Sequence, residues 1–266
     1  MFEAAASRVT EVVSEIDPET DSIKISYSLA PGVQVAQKAL SVAALAAGSA
    51  VSPTGNVPVQ VTFSEATALE PRTEATVRGG RRLSPTDGSG ADCTSGFSVR
   101  INGVNGVATA MHCYNYMRYD GATGVIAYGN AATTTPAGAN IDLQWHRTLS
   151  GHSTSAQFYD GSIERTVSSA QNAVVGDTVC HYGIGTGYAR CSEVEILAVC
   201  YTPEDLTFCG LAATEEYVST GGDSGGPWFT GYTARGIHSG YDGLGRSLYT
   251  PQTRFAENLG GYVLTG

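Results

Sequence analysis

Gly221-Gly222-Asp223-Ser224-Gly225-Gly226-Pro227 sets one serine among four glycines. A hydroxyl is a weak nucleophile unless it is exposed and has a base beside it. Glycines let the backbone bend sharply and come close to a bound molecule. They also free the N–H groups of Gly222 and Ser224 to point at one spot, where two donors stabilise the oxyanion of a tetrahedral intermediate. An ordinary tight turn between strands is a poor account of six such residues in a row. Ser224 is therefore the candidate nucleophile, and the rest of the chain is searched for its base and acid.

Five histidines are available: His112, His146, His152, His181 and His238. His112 stands in Thr109-Ala110-Met111-His112-Cys113, where an apolar strand ends and a cysteine can pin the turn. A pinned strand end holds an imidazole at fixed geometry, as proton transfer requires. His146 and His152 follow a later strand without such a frame and are read as surface positions. Asp142, in Ala139-Asn140-Ile141-Asp142-Leu143-Gln144-Trp145, begins an alternating strand after a Gly-rich loop and is the candidate acid. Asp120, Asp160 and Asp177 sit beside glycines in turn-like contexts, where Asp bonds its own backbone. Gly222-Asp223-Ser224-Gly225-Gly226 also fits the Gly-x-Ser-x-Gly elbow of α/β-hydrolase esterases. That fold needs Asp and then His after the serine. Here only His238 follows Ser224, with Asp242 behind it and too little chain left for the rest of that sheet. The order is His, Asp, Ser, that of chymotrypsin.

Composition agrees with a mostly β protein. The 266 residues are 42% hydrophobic and only 15% charged, with 33 glycines and many short apolar runs. No run is long enough to span a membrane; Ala39 to Val51 is too short and rich in small residues. The net charge of −10 argues against nucleic acid as a partner. Lys24 and Lys38 are the only lysines. Base composition of the source genome is the simpler account, and fewer self-cleavage sites the other. Six cysteines, Cys93, Cys113, Cys180, Cys191, Cys200 and Cys209, contain no Cys-x-x-Cys pair. Zinc and thioredoxin-type readings are therefore poor, and disulfides of an exported protein are the better one. Met1-Phe2-Glu3-Ala4 lacks the basic stretch and apolar core of a signal peptide, so the chain is expected to be trimmed or truncated relative to an exported precursor.

The first part of the chain reads as a separate unit. Ser22 to Tyr27 alternates as a strand, Gly32 to Ala47 is Ala-rich and helix-prone, and Asn56 to Phe63 alternates again. This strand-helix-strand piece holds no cysteine. After Glu70-Pro71-Arg72 the character changes to short strands and Gly-, Asn- and Thr-rich turns. The boundary drawn from this is residues 1–75 and 76–266. A late helix is placed at Thr253 to Asn258.

From Val77 onward the chain resembles the bacterial chymotrypsin-like peptidases of the α-lytic protease and streptogrisin group. Val77-Arg78-Gly79-Gly80 is similar to the family's mature start. Cys93 to Val99 resembles the strand before the histidine motif, Cys180 to Cys191 a short disulfide hairpin, and Val263-Leu264-Thr265-Gly266 the C-terminal strand. The resemblance implies two six-stranded antiparallel barrels preceded by the end of a pro-region. It implies a secreted monomeric serine endopeptidase acting on protein or peptide substrates without cofactor or metal, with the pro-region as its own inhibitor until self-cleavage near Val77. An unrelated accessory domain is the alternative for the first 70 or so residues, and a catalytically inactive binding homologue the alternative for the whole. Disulfides Cys93–Cys113 and Cys180–Cys191 are implied, leaving Cys200 with Cys209.

Three departures stand out. Met111 replaces the family's usual Gly. Ser219-Thr220 stands where many relatives have a cysteine, so the pocket near Val218 is braced differently. His181 replaces an Arg that normally pairs with the aspartate before the nucleophile, so Asp223 is held either by His181 or by backbone N–H groups alone. The resemblance also makes His238, Ser239 and Gly240 substrate-binding. Ser239 would bond the triad aspartate, the following backbone would pair with substrate, and His238 would wall the primary specificity pocket. Glutamyl endopeptidases of the group resemble this chain in having histidine there, so a Glu preference is one expectation. A neutral His238 in a pocket for apolar side chains is the other. Tyr217-Val218-Ser219-Thr220 offers no carboxylate for a basic side chain.

Overall fold

In the computed structural model, residues 9–17, 22–29, 60–65, 74–134, 138–203 and 206–266 are described. The chain divides into two units, Met1–Thr73 and Glu74–Gly266. In the first, strands Val9–Asp17 and Ser22–Leu29 pair antiparallel, and Gln60–Glu65 runs parallel to Ser22–Leu29. Val9–Asp17 has no counterpart in the sequence reading. Its apolar residues Val9, Val12, Val13 and Ile16 fall at helical spacing, and its pairing shifts register between Val9 and Glu11. The helix read over residues 32–47 lies outside the described residues, as do residues 56–59 of the following strand.

The second unit is built from two halves. In the later half, strands Thr178–His181, Arg190–Tyr201, Phe208–Thr214, Pro227–Thr230, Thr233–Tyr241 and Ser247–Pro251 pair in sequence neighbours and across. Thr233–Tyr241 pairs with Pro227–Thr230 on one side and Ser247–Pro251 on the other, so the six strands close into a ring. Closure leaves these strands no free edge. The pairings of the earlier half are divided among a five-stranded sheet and two three-stranded ones. The five-stranded sheet takes its last member, Gly261–Val263, from the C-terminus, which returns to pair with Ser98–Ile101.

The halves meet over a common core. Phe97, Phe158 and Phe229 are almost fully buried, with ring centroids 5.3 and 4.9 Å apart. Burying each such side chain stabilises the fold by about 1.5–3 kcal/mol. The helix Thr253–Leu259 buries Phe255 and ends at Gly260, whose φ of 70° suits the left-handed cap. The three disulfides are Cys93–Cys113, Cys180–Cys191 and Cys200–Cys209. Each closes a loop whose constraint on the unfolded chain contributes about 2–4 kcal/mol.

His146 and His152 are not the surface positions expected of them. His146 is fully buried, because its strand Gln144–Thr148 lies between Ile126–Ala131 and Val104–Thr109 and turns this residue inward. His152 is half-buried. It accepts the Ala75 N–H at Nδ1 (3.1 Å) and approaches the Gly124 carbonyl with Nε2 (3.0 Å). Burial pushes His146 from 6.5 down to about 4, against the weaker opposing effect of its Nδ1 bond to the Ala127 carbonyl. Between those two pH values the unfolded chain binds a proton that the folded chain refuses. Stability is therefore fully present above the unfolded value and lost as pH falls toward 4, by about 3 kcal/mol in all. Urea titrations are expected to show this loss, and His146→Gln to remove most of it. A pH slope unchanged by the substitution contradicts the assignment.

Candidate active site

The strand Val104–Thr109 delivers the chain to the turn that carries His112. Cys113 is tied to Cys93, and the Gln144 amide donates to the carbonyls of Ala110 (2.8 Å) and Cys113 (2.9 Å). The turn is thus held from two sides. Asp142 lies fully buried in the loop before Gln144–Thr148. Its Oδ1 accepts the backbone N–H of His112 at 3.1 Å, and its Oδ2 lies 2.8 Å from His112 Nδ1. The Ser239 hydroxyl donates to the same Oδ2, and the Thr250 hydroxyl donates to the Asp142 carbonyl at 2.8 Å. His112 Nε2 then stands 2.8 Å from Ser224 Oγ. Asp142 accepts a hydrogen bond from Nδ1–H, so Nε2 faces the hydroxyl as an acceptor. Burial alone would lower the His112 pKa. The Asp142 charge and hydrogen bond outweigh it, and the net shift is upward.

The nucleophile turn is shaped by its glycines and by one threonine. Gly222 and Gly225 have φ of 96° and 82°. At Gly225 a side chain is excluded, since a Cβ would stand 2.0 Å from Thr109 Oγ1. Thr94 holds the turn from below: its hydroxyl donates to the Gly222 carbonyl and its N–H to the Ser224 carbonyl, both at 2.8 Å. The N–H groups of Asp223, Gly225 and Gly226 bond within the protein. Among the described residues those of Gly222 and Ser224 have no such partner.

Asp223 is fully buried and draws on both of the partners considered for it. It accepts the backbone N–H groups of Thr220 (2.8 Å) and Thr186 (2.9 Å) and the Thr186 hydroxyl. His181 Nε2 lies 3.5 Å from its Oδ2, at ion-pair distance and without a hydrogen bond. Burial alone would raise the carboxyl pKa. The His181 contact and the Thr186 donors outweigh it and hold Asp223 well below the usual carboxylate range. His238 is nearly buried in Thr233–Tyr241, and its N–H and C=O bond Gly226 and Gly225, both at 2.8 Å. The indole Nε1–H of Trp228 donates to His238 Nδ1 at 3.4 Å, which leaves the proton of a neutral imidazole on Nε2. Ser239 and Gly240 follow it on the same strand.

Ser224, His112, Asp142 and Ser239 are thus brought together, and His238 lies one strand residue away. Thr94, Thr186, Gln144 and Trp228 are supports that the sequence reading did not identify. Their signals, lone hydroxyls, an amide and an indole, carry no pattern until the chain is folded. Among the described residues no group of three His, Cys, Asp or Glu is placed to hold a metal ion, and no helix is long and apolar enough to cross a membrane.

No protein-family model matches the chain. Streptogrisin-C of Streptomyces griseus is 31% identical over 205 residues, 77% of this chain and 44% of that protein. The chain thus spans less than half of that relative's length. Glutamyl endopeptidase 2 of Streptomyces griseus is 30% identical over 172 residues, 63% of this chain and 90% of that protein. A solved structure described as a glutamic acid specific serine protease that utilises a novel histidine triad in substrate binding is 28% identical. It matches with a TM-score of 0.60 over 71% of this chain and all of that one. A closed six-stranded ring with serine, histidine and aspartate gathered at its junction with a second β half defines a chymotrypsin-like serine protease. The chain belongs to the bacterial branch of that family, the α-lytic protease and streptogrisin group.

Proposed function

We propose that the chain is a secreted serine endopeptidase that cleaves peptide bonds through an acyl-enzyme, with Ser224 as nucleophile, His112 as base and Asp142 as orienting acid. The observation that carries this is the unbroken relay of 2.8 Å contacts from Asp142 Oδ2 through His112 to Ser224 Oγ. Ser224 attacks the carbonyl carbon while its proton passes to His112 Nε2. Asp142 stabilises the imidazolium, and the Gly222 and Ser224 N–H groups receive the oxyanion. His112 then gives the proton to the leaving amine, and water repeats the sequence on the ester. A serine-directed phosphonate is expected to label wild-type protein at Ser224. Absence of label under conditions where the protein is folded would return the reading to an inactive binding homologue.

Residues 1–75 are proposed as a pro-region removed by self-cleavage near Val77. What supports this is that the sequence resemblance begins at Val77, and that the matched protease structure is covered whole by 71% of this chain.

For the residue before the cleaved bond we propose Glu. His238 supports it: a neutral imidazole with its proton on Nε2 can donate to a carboxylate, whose charge would raise the imidazole pKa. The names of two relatives, glutamyl endopeptidase and glutamic acid specific protease, point the same way. Tetrapeptide anilides ending in Glu and Phe are to be compared between about pH 6 and 9. The Glu substrate is expected to have the higher kcat/KM, and His238→Thr to abolish its advantage. Phe cleaved better by about tenfold at every pH, with that ratio unmoved by His238→Thr, would leave an apolar pocket as the reading.

A further inference from the structure

Ser224 stands in the later half of the second unit, His112 and Asp142 in the earlier half. Their alignment depends on ties across the junction, and one hairpin supplies a tie of its own. Its strands Arg190–Tyr201 and Phe208–Thr214 pair with three register shifts, and Ala198 in the longer strand has φ of 64°. A residue with a Cβ adopts that left-handed conformation at a cost, and irregular pairing bends a strand and re-aims it. The last pair of the hairpin, Tyr201 with Phe208, is enclosed by the disulfide Cys200–Cys209. Just beyond it the Thr202 and Thr207 hydroxyls meet at 2.9 Å. This closed end lies against the loop that carries the acid. The Asn140 N–H and its side-chain amide both donate to the Thr207 carbonyl at 3.3 Å, and the Cys209 N–H donates to the Asn140 carbonyl at 3.0 Å. Asn140 precedes Asp142 by two residues. The same end reaches the base. Phe208 is almost fully buried with Leu211, Ala213 and Leu248, its ring centroid is 6.4 Å from that of His112, and Met111 packs against the cluster. Met111, which replaces the family's usual Gly, thus joins the apolar interior of the later half to the histidine turn.

We propose that the disulfide-closed end of this hairpin is a strap that holds base and acid in register. Phe208 and Met111 are positioning residues for His112, and the Thr207–Cys209 backbone positions Asp142 through Asn140. The inference rests on the reading of His112 and Asp142 as the base and acid of a serine peptidase. Ser239 and the His112 N–H fix the Asp142 carboxylate locally, and Asn140 fixes where the loop that carries it lies. Ordering a free loop costs conformational entropy at every residue. The disulfide removes much of that cost by restricting the hairpin end before it docks. With the hairpin end open, water competes for the Asn140 N–H and carbonyl, and the loop is held only further along. A base 2.8 Å from its nucleophile tolerates little displacement. The titratable groups that face His112 are Asp142 at 2.8 Å and, in the interior, His238. Burial lowers the His112 pKa and Asp142 more than offsets it, so a looser Asp142 lets that pKa fall.

The test compares the full chain with Cys200→Ser/Cys209→Ser, Met111→Ala and Met111→Leu, and takes Asp142→Asn as reference. A serine-directed phosphonate, reacted to completion, first counts the active sites in each preparation. Then kcat per labelled site and KM are measured on one peptide anilide between about pH 5 and 9. The double variant is expected to lose about tenfold to a hundredfold in kcat per site with KM within about threefold of wild type, because the contacts removed touch no substrate. Its acid limb should move to lower pH, in the direction of Asp142→Asn. Met111→Ala should shift both quantities in the same sense by less, and Met111→Leu, which keeps the side-chain volume, should stay within about threefold of wild type. A merely structural role would lower the number of labelled sites and leave kcat per site and the acid limb at their wild-type values. That result in the double variant overturns the strap; if the double variant is not recovered folded, the same result in Met111→Ala does so. Met111→Leu as impaired as Met111→Ala overturns the role given to Met111. The reading beneath fails separately: Asp142→Asn with kcat within about tenfold of wild type would remove the acid itself. An impaired Asp142→Asn beside an unaffected double variant sinks the strap alone.

Discussion

Ser224→Ala is expected to abolish peptide hydrolysis while leaving the fold intact. The hydroxyl makes one contact that matters here, the 2.8 Å approach to His112 Nε2, and it lies in a turn whose shape is set by others. Gly222 and Gly225 supply the backbone conformation, Thr94 holds the carbonyls on either side, and Asp223 is anchored to Thr186 and Thr220. None of these uses Ser224 Oγ. Its loss therefore removes the nucleophile without a structural penalty, and kcat should fall on the order of 10⁶. The variant should also stay full length, whereas wild-type protein should yield a fragment that begins between Ala75 and Gly79. Turnover within about tenfold of wild type would show that another nucleophile operates. An active wild-type enzyme left uncut would refute the processing step alone.

Asp142→Asn should lower kcat on the order of 10⁴ with KM far less affected. Asp142 sits at the convergence of three donors, the His112 backbone N–H, His112 Nδ1 and the Ser239 hydroxyl. An amide can accept from some of these but must turn its own N–H₂ toward another. Facing His112, that group forces the imidazole proton onto Nε2, where it blocks acceptance from Ser224. The carboxylate also outweighs burial in setting the His112 pKa. Without it burial prevails and the pKa falls. His112 must be neutral to act as base, so the acid limb of the kcat profile is expected at lower pH in the variant than in wild type. A variant that keeps the wild-type acid limb would mean that a different group titrates.

The proposed trio was legible in the sequence because each member sits in a local pattern with a chemical reason. Ser224 lies among glycines that only a bent, closely approached backbone requires. His112 stands at a strand end beside a cysteine, and Asp142 at the head of an alternating strand. His, Asp, Ser order removed the esterase fold before any coordinates were needed. Where local pattern and fold parted, tertiary packing was the reason. Val9–Asp17 has helical spacing yet forms a strand, because pairing with Ser22–Leu29 outweighs periodicity. His146 looks like a surface histidine until Gln144–Thr148 is placed between two other strands.

What the sequence determined by itself was the chemistry that short-range patterns encode: a glycine-framed serine, a pinned histidine, an aspartate at a strand head, and cysteines in an export-type set. What only the tertiary structure decided was which distant side chains share a dry space. His181 and His238 are far apart in the chain, on strands that pair with opposite edges of Pro227–Thr230, and ring closure stacks them around Trp228. Thr94 reaches beneath Gly222 from the other half of the molecule. Contacts of this kind depend on strand order and register, and an imidazole, hydroxyl or indole alone in a sequence carries no record of what it will face.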